Sequence, residues 1–242
     1  MLNLREMQSK DTIARIAGSL YLLLIAAGFF YLKYVPSKLI DFDNPTATIN
    51  NITASETLFR LGILVGLIGY TIFLFLPLVL YKLLCSINKT HAVLMVILAV
   101  VSVPISFANM LNNFDVLTLI SGNAYLNAPE AHKLQAEVML HLNSYRSGNL
   151  VASIFWGLWL FPFGYLVFKS GFLPKVIGIL LMIGCFGYLI NFTGHLLFPQ
   201  QYSNSGIGIY ITIPGSLGEL SICLWLLIAG VRNKPIRLSA GA

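Results

Sequence analysis

The feature that most constrains this chain is its succession of long apolar runs, several of them 18 residues or longer. At about 1.5 Å of rise per residue, a helix of that length crosses a hydrocarbon core about 30 Å thick. The composition agrees, because 57% of the 242 residues are hydrophobic and only 10% are charged. Soluble domains usually contain about 25% charged residues. The sequence therefore predicts an all-α integral membrane protein.

The runs predict six transmembrane helices in one domain that covers residues 1–242. The basic residues Arg5, Lys10 and Arg15 before the first run resemble the start of a signal peptide. That run is too long for a typical signal core and no small-x-small cleavage site follows it, so we predict a mature helix. The six helices are predicted at about residues 12–34, 59–84, 91–120, 147–168, 173–198 and 207–231.

The distribution of lysine and arginine predicts the orientation of the helices, because positive residues are retained on the cytoplasmic side. Ten of these residues lie at the helix ends that share a side with both termini, and five lie at the opposite ends. The opposite ends also hold six of the nine acidic residues. We therefore predict a bundle with both termini in the cytoplasm.

The two longer outer loops contain signals for additional helices before the second and fourth segments. Asn44-Pro45 and Ala128-Pro129 are typical of helix starts. In the second loop, Leu134, Val138, Leu142 and Tyr145 share one helix face, and Glu130, Lys133, Glu137 and His141 share the opposite one. This pattern predicts an amphipathic helix that leads into the fourth segment.

A shift of about 86 residues aligns two parts of the chain and leaves two explanations open. It places Phe59–Gly62 over Tyr145–Gly148 and Lys89 over Lys175. Internal duplication explains the match, and so does chance similarity between apolar segments.

Several common functions find no support in the sequence. The chain carries a formal charge of +6 and has a pI near 9.3, but its basic residues are scattered, which argues against nucleic-acid binding. Cys85, Cys185 and Cys223 lie in separate apolar segments, and no histidine pair has metal-ligand spacing. No nucleophile, phosphate-binding or dinucleotide motif is present. The predicted partner is the lipid bilayer, with no metal, and the sequence specifies neither a cofactor nor an oligomeric state.

A series of short motifs along the chain resembles a known family. They are Ala14–Gly18, Leu20–Leu23, Leu58–Gly62, Ile154–Gly157, Gly164–Leu166, Ser170–Lys175 with Gly178, Gly187–Leu189, Gly218–Leu220 and Leu224–Leu226. In this order they resemble the bacterial membrane-protein family of domain of unknown function 4386, over nearly the whole chain. The resemblance implies a multi-pass protein of the bacterial cytoplasmic (inner) membrane, and it implies no substrate, cofactor or catalytic residue.

Polar residues inside the predicted helices are the main functional signal, because such groups are costly in a bilayer. Most lie toward the outer ends of the helices, where they predict a polar cavity open to the outer face. The candidate residues are Arg60, Asn109, Asn113, Asp115, His141, Arg146, Asn149, Asn191, His195 and Glu219.

Glu219 is predicted near the middle of the membrane, at the floor of this cavity. A carboxyl group there needs a partner such as Arg, His, Asn or Tyr, and Arg60, Asn109, Asn113 and His195 are the candidates. With Arg60 and Arg146 at its mouth, the cavity would suit an anionic ligand such as a lipid phosphate. Alternatively, the two arginines extend to the headgroups and the asparagines join helices.

Three classes of function remain open at this point. The protein binds or moves a small molecule or lipid through the cavity, or it is an intramembrane enzyme acting on a lipid-like substrate. In the enzyme, Glu219 or Asp115 would be the acid or base and His141 or His195 would assist. The third class is a structural or accessory subunit, in which every polar group is paired with another.

Overall fold

A computed structural model describes the backbone of residues 2–121 and 128–231 and the side chains of residues 8–121 and 130–231. Within these ranges the chain is almost entirely helical and contains no strand. The helices are α1 (Leu2–Phe29), α2 (Val35–Leu39), α3 (Pro45–Ala54), α4 (Glu56–Leu84), α5 (Lys89–Ser121), α6 (Ala128–Leu158), α7 (Leu160–Lys169), α8 (Lys175–Leu197), α9 (Pro199–Ser205) and α10 (Ile207–Leu224). Two π-helical stretches, Phe30–Tyr34 and Trp225–Ala229, continue α1 and α10.

Six helical segments are long and apolar enough to cross a membrane, which confirms the predicted number of spans. They are Gln8–Leu39, Glu56–Leu84, Lys89–Ser121, Glu130–Lys169, Lys175–Leu197 and Ile207–Ala229. Large apolar side chains point away from the bundle on every span, including Leu64, which is 53% exposed, and Ile228, which is 71% exposed. Exposing so much apolar surface to water is energetically unfavourable. The protein is therefore a multi-pass membrane protein surrounded by lipid.

Two segments extend beyond their predicted boundaries. The first span continues past Pro36 to Leu39, because this proline lies in the first turn of α2, where no intrahelical N–H bond is needed. The fourth span includes the amphipathic segment, since α6 runs without interruption from Ala128 to Leu158. It is interrupted only at Trp159, just before Pro162, whose ring would clash with the carbonyl group of Leu158 in a continuous helix.

The bundle has two distinct ends. The end called here the terminal face contains the start of α1, the end of the last span at Ala229, and the short turns 85–88 and 170–174. His91 at the start of α5 stacks on Tyr165 near the end of α7 there, with 4.2 Å between ring centroids. The opposite end, called here the loop face, contains α3 and α9.

The spans form a ring in which each packs against its neighbours. Its order is α1, α4, α5, the α6–α7 pair, α8 and α10, after which the ring returns to α1. Backbones approach most closely between α8 and α10, where a methyl group added to Gly184 would lie 2.5 Å from Cα of Gly215. This small-residue contact is typical of helix pairs in membranes.

Polar contacts join α1 to the end of the last span near the terminal face. Arg15 donates a hydrogen bond to the carbonyl oxygen of Leu227 at 3.0 Å, and the backbone N–H of Val231 donates to Asp11 at 3.2 Å. Toward the loop face, Tyr31 in the π-helical stretch after α1 packs on Gly66 of α4. We infer that a cleft opens toward lipid between α1 and α10 on the loop-face side of these contacts.

Candidate binding site

Glu219 lies near the middle of the last span, and tyrosines from two other helices lie close to its carboxyl group. The Tyr21 hydroxyl of α1 donates a hydrogen bond to Oε1 of Glu219 at 2.9 Å. Tyr188 of α8 lies near the same carboxyl group and lines the same cavity. A carboxylate has about four acceptor positions, so further positions are available to a ligand.

A cavity of about 160 Å³ lies beside this carboxyl group. Five of the six spans contribute to its walls, and the third span, α5, contributes no lining residue. The lining residues are Tyr21, Leu24, Ile25, Gly28, Tyr31, Leu32, Tyr70, Phe73, Trp156, Trp159, Tyr188 and Glu219.

Aromatic rings form the wall of the cavity that faces away from lipid. Trp159 stacks on Phe163, with 5.2 Å between ring centroids, and the edge of Phe73 meets Trp159 at 5.2 Å. Tyr21 packs on the same indole at 6.1 Å. These contacts fix the aromatic surface independently of any ligand.

A chain of hydrogen-bonded side chains leads from the cavity toward the loop face. Tyr31 and Tyr70 line the cavity, and their rings meet edge-on with 5.3 Å between centroids. The Tyr70 hydroxyl lies 3.5 Å from Oδ1 of Asn149. That oxygen accepts a hydrogen bond from Asn109 at 3.1 Å. The candidates Asn109 and Asn149 are thus connected to the cavity through tyrosines.

The remaining asparagine of this group, Asn113, is buried next to the same network. Its side-chain amide lies 3.2 Å from the sulfur of Met110 on the same helix. Asn109 donates to the Tyr145 carbonyl oxygen at 2.9 Å, which joins α5 to α6. Asn109 therefore connects two helices.

The two candidate arginines lie apart from the lining of the cavity. Arg60 forms an ion pair with Glu56, one helical turn earlier, at 2.6 Å. Its side chain is 55% exposed. The Arg146 guanidinium lies over the ring of Phe42, 5.3 Å from the centroid. The structure gives both arginines partners at the loop face, and neither is among the residues that line the cavity.

The candidate histidines also have partners elsewhere. His141 of α6 lies 3.4 Å from the carboxylate of Asp115 on α5, on the exposed side of this helix pair. His195 interacts through Nδ1 with the Asn191 carbonyl oxygen at 2.9 Å, and its ring meets Tyr202 edge-on at 4.8 Å. The ten candidates therefore form several groups, and Glu219 alone lies in the cavity wall.

The residues that the sequence interpretation missed are the tyrosines and tryptophans around Glu219. Tyrosine was considered as a type of partner, but the four named candidates were Arg60, Asn109, Asn113 and His195, all of which have other contacts. Tyr21 and Tyr188 each lie within a motif of the family resemblance, as does Glu219, and this common membership was the available signal. Among residues 8–121 and 130–231, no three His, Cys, Asp or Glu side chains are grouped as metal ligands would be.

The fold and the cavity together define a class of protein: a six-span membrane protein with a carboxyl group held inside the bilayer beside an aromatic cavity. Comparison with known families then gives the particular one. The chain belongs to the family described as Domain of unknown function (DUF4386), whose profile matches residues 16–230. This confirms the resemblance noted in the sequence.

One curated relative is an uncharacterized protein of Archaeoglobus fulgidus. It is 37% identical to this chain over 83 residues, which are 34% of this chain and 46% of the relative. The match thus spans about half the length of that protein. No solved structure matches this chain significantly.

Proposed function

We propose that this protein binds a small molecule or lipid in the cavity beside Glu219, and that the ligand enters through the cleft between α1 and α10. The observation that carries this proposal is the Glu219 carboxyl group, which accepts a hydrogen bond from Tyr21 on the wall of a cavity of about 160 Å³. Ionisable groups at this depth in a membrane are costly and usually functional. Glu219 remains partly exposed to the cavity, so a ligand can reach it.

The dimensions of the cavity support a ligand group of modest size. An enclosed apolar cavity of about 150 Å³ holds a benzene molecule. The cavity here is similar in volume but opens sideways between helices, so a longer ligand can leave its remainder in the cleft. This geometry favours a molecule that partitions into the membrane before it binds.

The proposed location is the cytoplasmic membrane of a prokaryotic cell, with both chain ends in the cytoplasm. The positive-inside rule supports this orientation. The cleft then opens toward the outer leaflet. Motions of α1 would decide whether the bound ligand stays in the cavity or is moved across the membrane, so transport would require such motions in addition to binding.

Two alternative functions have weaker support. An enzyme that uses Glu219 with a histidine would need that histidine in the cavity, whereas His141 is paired with Asp115 and His195 with Asn191. A purely structural subunit would need a dry interior in which polar groups satisfy one another. The cavity beside a partly exposed Glu219 favours binding over this role.

Native mass spectrometry of the protein released from its own membrane tests the binding proposal. We expect a retained non-protein mass on the wild type and a roughly tenfold lower occupancy in Gly28→Leu, a loss equivalent to about 1.4 kcal/mol. Gly28 lines the cavity, and a Cβ atom added there meets no atom within 4 Å, so we expect a leucine side chain at this position to occupy ligand space.

Gly171→Ala is the matched control, because a methyl group at Gly171 also meets no atom within 4 Å but lies far from the cavity, at the terminal face. Alanine at a φ of +73° is strained, which makes this variant a demanding control for general instability. Equal occupancy in all three proteins, or no retained mass on any of them, would contradict the proposal.

A further inference from the structure

Glu219 is the acidic member of the cavity lining. Among the side chains that the structure describes, the twelve lining residues include Glu219 and no Lys, Arg or His. The Tyr21 hydroxyl that donates to this carboxyl group is neutral. Arg15, further along α1 toward the terminal face, is bound instead by Asp11 at 2.9 Å and by the Leu227 carbonyl oxygen at 3.0 Å. The protein therefore supplies an acid here without a basic partner.

The rest of the cavity is suited to a positive charge. Seven of its lining residues are aromatic: Tyr21, Tyr31, Tyr70, Phe73, Trp156, Trp159 and Tyr188. The faces of aromatic rings carry negative potential and attract cations, most strongly where water is excluded. An anion would be repelled by the ring faces and by Glu219 alike, and a neutral molecule would gain only apolar contact.

The apolar side of the cavity lies where it can take the remainder of such a ligand. Leu24, Ile25, Gly28 and Leu32 follow one another along α1 at the cleft. The carboxyl group lies on the opposite wall, on α10. A molecule with a charged group at one end and an apolar body at the other would place its charge at Glu219 and its body toward lipid.

We propose that the cavity binds an organic monocation, an ammonium group on an apolar body, with Glu219 as its counter-ion and the aromatic rings as its cage. This proposal rests on the binding function proposed above and specifies the ligand class. It replaces the anionic ligand expected from Arg60 and Arg146, since both arginines have partners outside the cavity.

Benzyltrimethylammonium is a direct probe, because its quaternary ammonium group carries a fixed charge next to a single ring. Neopentylbenzene is its matched neutral control, since a carbon replaces the nitrogen and the shape is kept. The full chain is reconstituted in nanodiscs of phosphatidylglycerol, which contain no ammonium headgroup, and binding is measured by isothermal titration calorimetry. We expect saturable binding of the cation at least roughly tenfold tighter than that of the neutral probe.

Glu219→Gln is expected to lower the affinity for the cation by roughly tenfold or more and to leave neopentylbenzene binding unchanged. Glu56→Gln makes the same chemical change at the exposed ion pair with Arg60 and is expected to have no effect. Both variants replace one glutamate by glutamine, and both are measured in the same anionic membrane. The accumulation of the cation at the membrane surface is therefore the same for both, and a difference in affinity between them reports on the site at Glu219.

The contribution of the aromatic cage is tested at Trp156, which lines the cavity and is only partly buried. Trp156→Leu is expected to weaken cation binding by roughly three- to thirtyfold, and Trp156→Phe, which keeps a ring, by less.

An ammonium group can come from a free amine or from a lipid headgroup. If nanodiscs of phosphatidylcholine suppress binding of the probe, a headgroup occupies the site; unchanged binding assigns the site to a free amine.

The outcomes separate the two proposals. If neopentylbenzene binds as tightly as the cation and Glu219→Gln changes neither affinity, the cavity binds ligands but the cationic class is wrong. If neither probe binds and no mass is retained in the native experiment, both proposals fail.

Discussion

The two tyrosines at Glu219 have different surroundings. Tyr21 is 1% exposed and packs against Trp159 and Phe163. Tyr188 is partly exposed, and a methyl group on Gly157 would come within 2.5 Å of its Cβ. Tyr21 is therefore the more tightly packed of the two tyrosines.

Replacing either tyrosine by phenylalanine removes one hydrogen-bond donor and keeps the ring. Hydrogen bonds inside membrane proteins are worth about 0.6 kcal/mol on average and up to about 1.7 kcal/mol. We expect Tyr21→Phe and Tyr188→Phe each to lower the free energy of unfolding by an amount in this range. The double variant should lose more than the sum, because the carboxyl group then has neither donor. Unfolding in mixed micelles with increasing SDS measures these losses.

A double-mutant cycle identifies the interaction responsible. Tyr21→Phe combined with Glu219→Met should lose less stability than the two single variants together, since methionine leaves the hydroxyl no acceptor. Tyr165→Phe at the terminal face is the control and should show no coupling to Glu219. Strict additivity of Tyr21 and Glu219 would contradict the hydrogen bond seen here.

The importance of Glu219 could be predicted from the sequence, whereas its partners could not. Its position within an apolar run was sufficient to place a carboxyl group inside the membrane. Tyr21 lies 198 residues away along the chain, and the chain contains 11 tyrosines. Which of them meets Glu219 depends on the order of helices around the ring, and apolar periodicity does not determine that order.

At the scale of elements, α1 divides its packing between two neighbours. The start of the first span contacts the end of the last span through Asp11, Arg15 and Gly18, and the later part of the first span contacts α4 through Tyr31 and Val35. We attribute the inferred cleft to the placement of these contacts at different ends of the first span. Substitutions at its two ends should therefore differ in their effect on stability.

Gly18→Ala and Gly28→Ala place the same methyl group on the two halves of α1. A methyl group at Gly18 would lie 2.6 Å from the Leu227 backbone nitrogen, whereas at Gly28 it meets no atom within 4 Å. We expect Gly18→Ala to lower the free energy of unfolding by about 1–3 kcal/mol through overpacking. Gly28→Ala should change it by less than about 0.5 kcal/mol. The same SDS titration measures both, and equal losses would contradict the proposed division of α1.

The type and number of the long helices could be predicted from the sequence, and their interruptions could not. Pro77 and Pro104 lie inside continuous helices, whereas Pro162 follows a break at Trp159. Whether a proline interrupts a helix depends on how neighbouring helices satisfy the released carbonyl group. The cleft likewise depends on contacts between distant segments, such as that between Gly18 and Leu227.

At the scale of the whole molecule, polar side chains are concentrated toward the loop face. The pairs Arg60–Glu56 and His141–Asp115 lie there, on three different helices. Basic residues are concentrated at the opposite end, where Lys82, Lys89, Lys169 and Lys175 flank the two short turns. The positive-inside rule predicts that this terminal face lies in the cytoplasm, and that orientation decides which leaflet supplies the ligand.

Reporter fusions test this orientation. Six crossings place both ends of the chain on one side, so green fluorescent protein fused after residue 242 should fluoresce and alkaline phosphatase fused there should be inactive. Alkaline phosphatase fused after Asp43, between the first two spans, should be active because it is exported. The opposite pattern would place the terminal face outside the cell. The cleft would then open to the inner leaflet, and an organic cation would reach Glu219 from the cytoplasmic side of the membrane.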